Sequence, residues 1–336
     1  MATIKDIAQL AQVSLSTVSI VLNGQSEQRK ISVKTQQKVW NAVKELEYKP
    51  NIAARGLREN SHGSNTIVTL YWSNDFRTSL LSRFLKGLQR ITENSEQRIE
   101  IHIVTYSNDK LYEHEELMTG KRCHAAIIAN ASKKDMEFLE KITPPMPVVL
   151  YNRSSENYYG ITVDNYRMGQ LAAQALLQKK HQEIAILTAE YIFPGMEQRD
   201  LGFIDTFKNN RINISDSQII CTENSINGGC LGCEKILSNK NKISAIYCAS
   251  DAIALGVIYT LHQHNVRIPE EISVISIGNG DNEYSQYTIP PLSNVYLPME
   301  DMAEKCLITL LNLLNHQEIP EKTILLETPL QLRQTT

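Results

Sequence analysis

Apolar positions near the start of the chain recur at helical spacing and predict three short helices. The inward-facing positions are Ile4, Ile7, Ala8 and Ala11, then Val18, Val21 and Leu22, then Val39, Val43 and Leu46. A residue suited to N-capping precedes each stripe: Thr3, which forms a capping-box pattern with Asp6, then Ser14 and Ser32. Three helices within the first 50 residues predict a small helical domain.

The outward face of the second helix lacks charged side chains. In the stretch VSLSTVSIVLNG, these outward positions hold Leu15, Ser16, Ser19, Ile20 and Asn23. A solvated helix face ordinarily carries Glu and Lys, and Ser is an indifferent helix former away from the helix start. The face is therefore typical of a surface that approaches a partner closely. Two short helices joined by a tight turn indicate a helix-turn-helix.

From Thr66 onward, apolar strands alternate with amphipathic helices. The predicted strands cover 66–72, 99–106, 124–130, 147–152, 183–189, 218–222, 245–250 and 272–278. The predicted helices between them cover 80–91, 135–142, 168–179, 202–210, 232–240 and 253–264. This alternation predicts parallel sheets with helices on both faces. So many strands suit two lobes, with a cleft where the carboxyl ends of the strands meet.

The segment KPNIAARGLREN connects the two regions. Pro50 ends the third helix, Asn51 can cap a helix of about two turns, and residues 61–65 form a linker. An isolated helix of that length is marginal in water because nucleation is costly. Leu57 in this segment has no evident core to join.

Charge is spread unevenly along the chain, whose formal net charge is −3. Residues 1–58 hold nine Lys and Arg against four Asp and Glu, which gives this region +5 and the remainder −8. A basic head on an acidic body is expected of a nucleic-acid reader joined to another domain. The N-terminus has no secretory signal, no apolar run is long enough to span a membrane, and the six cysteines are scattered. We therefore expect a cytoplasmic protein.

Three segments together resemble the LacI/GalR family of bacterial repressors, namely TIKDIAQLAQVSLSTVSIVLNG, KISVKTQQKVWNAVKELEYKPNIAARGL and ISVISIGNGDNEYSQYTIPPLSNVYLPMEDM. The resemblance covers essentially the whole chain. It implies an all-α helix-turn-helix head and a two-lobed α/β core that is similar to periplasmic sugar-binding proteins. The expected domains are the head at 1–49, a hinge helix and linker at 50–62, and an effector-binding and dimerisation core at 63–336. Within the core we expect an N-lobe of 63–163 and 294–320, and a C-lobe of 164–293 and 321–336.

The resemblance also implies which residues meet DNA. A recognition helix enters the major groove with its N-terminal residues towards base edges. Leu57 is the wedge that the hinge helix inserts into the minor groove, where unstacking one base step costs roughly a few kcal/mol. The implied DNA-binding residues are Thr3, Ser14, Leu15, Ser16, Thr17, Ser19, Ile20, Asn23, Arg29, Lys30, Ser32, Thr35, Tyr48, Asn51, Ala54, Arg55, Leu57 and Arg58.

Two features of the predicted head depart from the family pattern. Ile20 stands where the family very often has Arg, a residue suited to bidentate recognition of guanine. Since Ile offers only apolar contact, we predict an operator without that guanine. The loop before Ser32 is longer than expected, and its Arg29 and Lys30 are expected to meet phosphates.

The resemblance places an effector in the cleft. Arg199 lies where the family has a ligand-clamping Arg, whose planar fork of donors suits hydroxyls or a carboxylate. Gly280 replaces an Asp that usually contacts the ligand, so the lining is altered, and residues after the first core strand can supply a stacking surface. The implied effector-binding residues are Trp72, Asn74, Phe76, Asn130, Asn152, Arg199, Asn227, Ser250, Asp251 and Asp281.

The remaining motifs favour ordinary structural explanations. Cys230 and Cys233 form one C-x-x-C pair, and the sequence has no second pair. This pattern favours a Gly-rich turn that enters a helix over a zinc site. His262 and His264 read as a solvated helix end. No strand is followed by a G-x-G-x-x-G fingerprint, and no nucleophile–base pair stands out. We therefore expect no enzyme activity, cofactor or metal.

The sequence thus predicts a homodimeric transcriptional repressor, which reads a pseudo-palindromic operator on double-stranded DNA and responds to a small polar, sugar-like effector. Its regulated genes are expected to belong to a carbohydrate-utilisation operon. Whether the effector induces or co-represses is left open. The alternative is a cytoplasmic sugar-binding or sugar-modifying protein without specific DNA recognition, whose basic head serves another purpose.

Overall fold

The computed structural model describes residues 4–22, 26, 29–46, 65–95, 98–120, 122–191, 193–239 and 242–336, without the side chains of Phe76 and Ser79. The chain divides near residue 60 into two compact units, a helical head and an α/β core. The predicted junctions at 49–50 and 62–63 lie outside the described residues.

The head contains the three predicted helices, α1 (Ile4–Ala11), α2 (Leu15–Leu22) and α3 (Val33–Glu45). Their apolar stripes meet in one core, whose buried members are Ile7, Ala8, Ala11, Val18, Val21, Val39 and Ala42. Gln12 has a left-handed φ of 53° and makes the turn between α1 and α2. Burial of one face of each helix supplies the stability that such short helices lack alone.

The core holds two six-stranded sheets. The first contains β1 (Thr66–Ser73), β2 (Ile99–Tyr106), β3 (Ala125–Ala129), β4 (Val148–Tyr151), β5 (Tyr159–Val163) and β11 (Thr323–Leu326). The second contains β6 (Ile184–Thr188), β7 (Ile219–Cys221), β8 (Ala245–Cys248), β9 (Ser273–Gly278), β10 (Ser293–Tyr296) and β12 (Leu330–Gln331). The spatial orders are β11-β5-β4-β3-β1-β2 and β12-β10-β9-β8-β6-β7, and every pairing is parallel except that of β10 with β12.

Helices cover both faces of each sheet, as the alternation predicts. In chain order they are α4 (Leu81–Thr92), α5 (Glu115–Thr119), α6 (Lys133–Leu139), α7 (Asn165–Gln178), α8 (Pro194–Asn209), α9 (Ile226–Ser238), α10 (Asp251–Gln263), α11 (Asn282–Gln286) and α12 (Met299–Leu314). Short 3-10 turns cover Phe76–Leu80, Leu111–Glu113 and Asp216–Gln218. We call the first sheet with its helices the first lobe and the second sheet with its helices the second lobe.

Close contact between α7 and α8 depends on two glycines. A Cβ on Gly169 would lie 1.8 Å from the Arg199 carbonyl oxygen, and one on Gly202 would lie 2.0 Å from the Tyr166 carbonyl oxygen. Only glycine permits this approach, in which the two helix backbones touch. The contact sets the position of α8, which carries residues of the cleft.

Two strands lie in a different lobe from the one predicted. β10 was expected partly in the N-lobe, yet it pairs with β9 in the second sheet. β11 was expected in the C-lobe, yet it pairs with β5 in the first sheet. The chain therefore passes between the lobes after β5, after β10 and after β11, all within described residues. Linker geometry of this kind leaves no signal in hydrophobic periodicity, which is why the expected boundaries at 294 and 321 were wrong.

Candidate DNA-binding face and effector cleft

The exposed face of α2 is built from hydroxyl groups and slender apolar side chains. Ser14 caps the helix, since its Oγ accepts a hydrogen bond of 3.1 Å from the Thr17 amide. The Ser14 hydroxyl also bonds the Ser16 hydroxyl at 2.7 Å and the Thr17 hydroxyl at 2.8 Å. Leu15 is 47% exposed and Ile20 is partly exposed. The face is neutral and narrow enough to approach a surface rich in hydrogen-bonding groups.

Cations dominate the rest of the described head. Residues 4–46 that the structure describes include six Lys and Arg against two Asp and Glu. Arg29 and Lys30 are exposed just before α3, and Ser32 caps that helix by accepting from the Thr35 amide at 3.2 Å. A helix N-terminus beside free cations favours anions such as phosphates.

Some predicted DNA contacts lie outside the described residues. These are Thr3, Asn23, Tyr48, Asn51, Ala54, Arg55, Leu57 and Arg58. The others, including Ser19, are on α2, in the loop before α3 or at the start of α3.

The core contains a cavity between its two lobes, which we call the main cavity. It encloses about 560 Å³ of empty space, counting the part that is open to solvent. Strand ends from both sheets surround it, as is usual for parallel α/β folds. Its lining residues are Arg77, Leu80, Asn130, Tyr151, Asn152, Thr188, Phe193, Met196, Arg199, Asp200, Asn224, Ala249, Asn279, Leu297 and Met299.

Asn130 and Asn152 follow β3 and β4 and turn the chain at the edge of the main cavity. Their φ angles are 61° and 56°, in the left-handed region that Asn tolerates better than most residues. Both are nearly buried, and the Asn130 Nδ2 and Asn152 Oδ1 atoms have no protein partner among the described residues. The two amides therefore offer one donor and one acceptor towards the cavity.

Three arginines surround the ring of Phe193. The guanidinium carbons of Arg77, Arg153 and Arg199 lie 5.5, 4.1 and 5.9 Å from the ring centroid. Arg77 forms an ion pair with Asp75, to which its Nε donates at 2.9 Å. Burial alone would raise the pKa of Asp75, but the bonds and charge of Arg77 bring it below its usual range. Arg77 and Asp75 thus make a neutral pair.

Arg199 and Asp200 are adjacent on α8 and both line the main cavity. Arg199 donates from Nε to Asn165 Oδ1 at 2.8 Å, and burial lowers its pKa. Asp200 Oδ2 accepts from the hydroxyls of Thr188 and Tyr191. Burial raises the pKa of Asp200 despite these bonds. The Asp200 carboxyl group is therefore held by hydroxyl groups next to Arg199.

The structure brings only part of the predicted effector site together. Asn130, Asn152 and Arg199 line the main cavity, whereas Asn74 and Asn227 are exposed and outside its lining. Trp72 is fully buried against Phe84 and Tyr151, so it is a core residue and cannot stack on a ligand in the cavity. Nothing is described for the Phe76 side chain.

The three residues predicted near the second lobe's strand ends have structural partners instead. Ser250 caps α10 and donates to Asn224 Oδ1 at 2.6 Å. Asp251 accepts from the Ser276 hydroxyl and from the Gly280 amide, and Asp281 pairs with Lys86 at 3.0 Å. All three lie outside the lining of the main cavity, and Asn224 and Asn279 lie in it instead.

A buried arginine connects the two lobes beside the main cavity. Arg83 on α4 donates to Glu300 at 2.7 Å, and it also donates to the carbonyl oxygens of Asn279 at 3.1 Å and Gly280 at 2.8 Å. Burial would lower the pKa of Arg83, but the Glu300 bond raises it above its usual value. Because Asn279 also lines the cavity, the cavity wall and this inter-lobe bond share one residue.

The motifs set aside in the sequence have ordinary surroundings. Cys233 is buried, which raises its pKa to about 12, and Cys230 donates weakly to the Gly256 carbonyl oxygen. Within the described ranges, no three His, Cys, Asp or Glu side chains are grouped as a metal site would require. No helix in that part of the chain combines the length and apolar character that a bilayer crossing requires.

Comparisons with known proteins agree with this architecture. The family model described as bacterial regulatory proteins, lacI family, matches residues 3–51, and that of the periplasmic binding protein-like domain matches residues 173–336. The ribose operon repressor of Haemophilus influenzae is 27% identical, with 100% of this chain and 98% of the relative covered. The HTH-type transcriptional repressor PurR of Mannheimia succiniciproducens is also 27% identical, with 100% and 98% covered. The crystal structure of a LacI family transcription regulator from Clostridium acetobutylicum is 37% identical with a TM-score of 0.77, covering 80% of this chain and 99% of that one.

Proposed function

This chain belongs to the LacI family of bacterial regulatory proteins, and we propose that it represses a carbohydrate-utilisation operon under the control of a small polar effector. One observation carries the proposal. The same chain has an uncharged, exposed hydroxyl face on α2 and, in its core, a cavity at the strand ends of two lobes. A sugar-binding protein without DNA recognition has no use for such a face on a cationic head.

In the proposed complex, α2 enters the major groove of the operator. Leu15 and Ser16 meet base edges, and the exposed Arg29 and Lys30 meet phosphates. Ile20 offers only a hydrocarbon surface, such as a thymine methyl would accept, so no guanine is required opposite it. Leu57 is proposed to act as the minor-groove wedge.

Regulation is proposed to follow from movement of the lobes. An effector that contacts Asn152 on the first lobe and Arg199 on the second favours one arrangement of the lobes. Since Asn279 both lines the main cavity and accepts from Arg83, that preference extends to the bonds between the lobes. In a homodimer, the lobes set the spacing of the two heads on a pseudo-palindromic site. Operator and effector then change each other's affinity by the same factor.

The test is selection of duplexes from a random library by the full-length protein, followed by affinity measurement on the selected operator. We expect a palindromic site, and an affinity that falls steeply with salt because phosphate contacts release counterions. Replacing Ser16→Glu should weaken operator binding about a hundredfold, which is ~3 kcal/mol, through repulsion from the DNA. Ser107→Glu, which adds the same charge at an exposed turn of the core, is the matched control.

The outcome against the proposal is equally definite. If no duplex is preferred over scrambled competitor, with or without sugars present, the sugar-binding alternative takes its place.

A further inference from the structure

The arginines around Phe193 carry more positive charge than the nearby carboxylates neutralise. Arg77 is paired with Asp75, but Arg153 and Arg199 have no ion-pair partner among the described residues. Within the described ranges, Arg153 donates to the carbonyl oxygens of Ala131 and Asn152, each at 2.5 Å, which are neutral acceptors. A buried charge without a counter-charge is costly.

Both arginines also keep an unused donor in a buried place. Arg153 is 7% exposed and Arg199 is 6% exposed, and the Nη2 atom of each has no hydrogen-bond partner in the part of the chain that the structure describes. Arg199 lines the main cavity, and Arg153 lines an adjoining cavity that shares Asn152 and Phe193 with it. Burial, followed by repulsion from Arg77, lowers the pKa of Arg153 to about 9. An anion placed beside these groups removes that penalty.

The two carboxylates predicted to bind the effector lie away from these arginines. Asp251 and Asp281 lie outside the main cavity with partners of their own. Asp200 is in the lining, but Thr188 and Tyr191 already donate to it and its pKa is raised. With Asp75 and Asp200 both counted as charged, the three arginines around Phe193 exceed the nearby carboxylates by one positive charge.

We propose that the effector is a sugar acid of monosaccharide size, such as a hexuronate, held by its carboxylate. This inference rests on the proposed function and narrows the class of effector. The carboxylate accepts from Arg199 Nη2, and Arg153 supplies the second positive charge next to it across the Phe193 ring. The amides of Asn130 and Asn152 serve the ligand's hydroxyl groups. One excess charge matches a singly charged carboxylate better than a doubly charged phosphate ester.

Calorimetric titration of the full-length protein tests this at constant ionic strength. The probes are D-galacturonate and D-glucuronate, their neutral partners D-galactose and D-glucose, and glucose 6-phosphate. We expect at least one acid to bind ten times or more tighter than its neutral partner and than the phosphate ester. A neutral hexose or the phosphate ester that binds as tightly, or no binding of either acid at 10 mM, overturns the inference; this upper concentration corresponds to only about −3 kcal/mol.

Variants locate the charge that matters. Arg153→Gln should weaken acid binding about tenfold and leave neutral sugars unchanged, whereas Arg153→Lys should retain most of the affinity. Lys133→Gln removes an exposed positive charge from the same adjoining cavity and is the control, with less than a twofold effect expected. If Arg153→Gln does not fold, the selectivity of the wild-type protein still decides.

Measuring operator binding distinguishes failure of the sugar-acid inference from failure of the proposed function. A neutral hexose that binds and changes operator affinity leaves the proposed function standing and overturns the sugar acid. Loss of any operator preference overturns the proposed function, whichever ligand binds the core.

Discussion

The outer face of α2 and the wall of the main cavity are both proposed to bind partners, yet their polar groups differ in burial and in hydrogen bonding. On α2, the hydroxyls of Ser14, Ser16 and Thr17 bond one another and are open to water. In the core, Arg153 and Arg199 keep buried N–H groups that have no partner among the residues the structure covers. Losing a hydrogen-bond partner costs an exposed hydroxyl little free energy, because water replaces the partner. A buried guanidinium without a partner gains much more free energy when a ligand supplies one. The face of α2 therefore suits many weak contacts along DNA. The wall of the main cavity suits a ligand that must shift the equilibrium between two arrangements of the lobes.

The largest effect is expected where a buried charge joins the lobes. Arg83→Met removes the guanidinium donors to Glu300 and to the carbonyl oxygens of Asn279 and Gly280, and it leaves Glu300 with the Tyr296 hydroxyl as a donor. Breaking a buried pair leaves an uncompensated charge, so we expect the free energy of unfolding to fall by about 3–5 kcal/mol in urea denaturation.

A neighbouring pair on the same helix provides the control for this loss. Arg90 on α4 bonds Asp301 at 2.8 Å, but both side chains are more than half exposed. Arg90→Met should therefore cost less than about 1 kcal/mol. Equal losses in the two variants would mean that burial of Arg83 adds nothing.

A smaller effect is expected from the acid in the main cavity, and its sign depends on pH. The folded pKa of Asp200 is raised above its unfolded value by burial, so the folded protein disfavours the charged form. The contribution of Asp200 to the free energy of unfolding should fall as pH rises from about 4 through its folded pKa, and Asp200→Asn should lose that fall. In thermal unfolding across pH 4–7.5, the melting temperature of Asp200→Asn should rise relative to that of the wild type as pH rises.

An exposed acid gives the opposite slope and serves as the comparison. Arg267 lowers the pKa of Glu271 by hydrogen bonding, so this group contributes stability that is lost as pH falls through its folded pKa. The melting temperature of Glu271→Gln should therefore fall relative to that of the wild type as pH rises. The same slope in both variants would contradict the difference drawn between buried and exposed polar groups.

The smallest effects are expected on α2. Ser14→Ala removes the N-cap and should cost the head about 1 kcal/mol, measured by its loss of helix signal on heating. Ser16→Ala removes a hydroxyl that caps nothing, so it should leave stability within about 0.5 kcal/mol and still weaken operator binding. A large stability loss in Ser16→Ala would mean that the hydroxyls of α2 are structural rather than available for DNA.

Much of this architecture was predictable from the sequence. Periodicity predicted the head helices and the long buried strands, because their apolar positions repeat. It missed β5, β10, β11 and β12, which are short or lie beside Gly and Pro residues. It also missed α12, although Met302, Cys306 and Leu310 are spaced as a helical stripe.

The cleft was less predictable than the head. Asn130 and Asn152, which directly follow buried strands, line the main cavity, and their contact with an effector stays a prediction. Trp72 was wrongly assigned, since every residue from Val68 to Ser73 is buried and the strand shows no alternation that separates core from cleft. Phe193 and Arg153 were missed because their proximity results from tertiary folding across 40 residues of chain, for which the sequence carries no short-range signal.

The glycine contact between α7 and α8 has a consequence for how this protein can change its ligand. Because Gly169 and Gly202 let the two backbones touch, the part of α8 that carries Arg199 is packed directly against α7. New ligand specificities are then reached by substituting side chains that line the main cavity while α7 and α8 stay packed together. A methyl group on either glycine would separate these two helices before it altered which ligand binds.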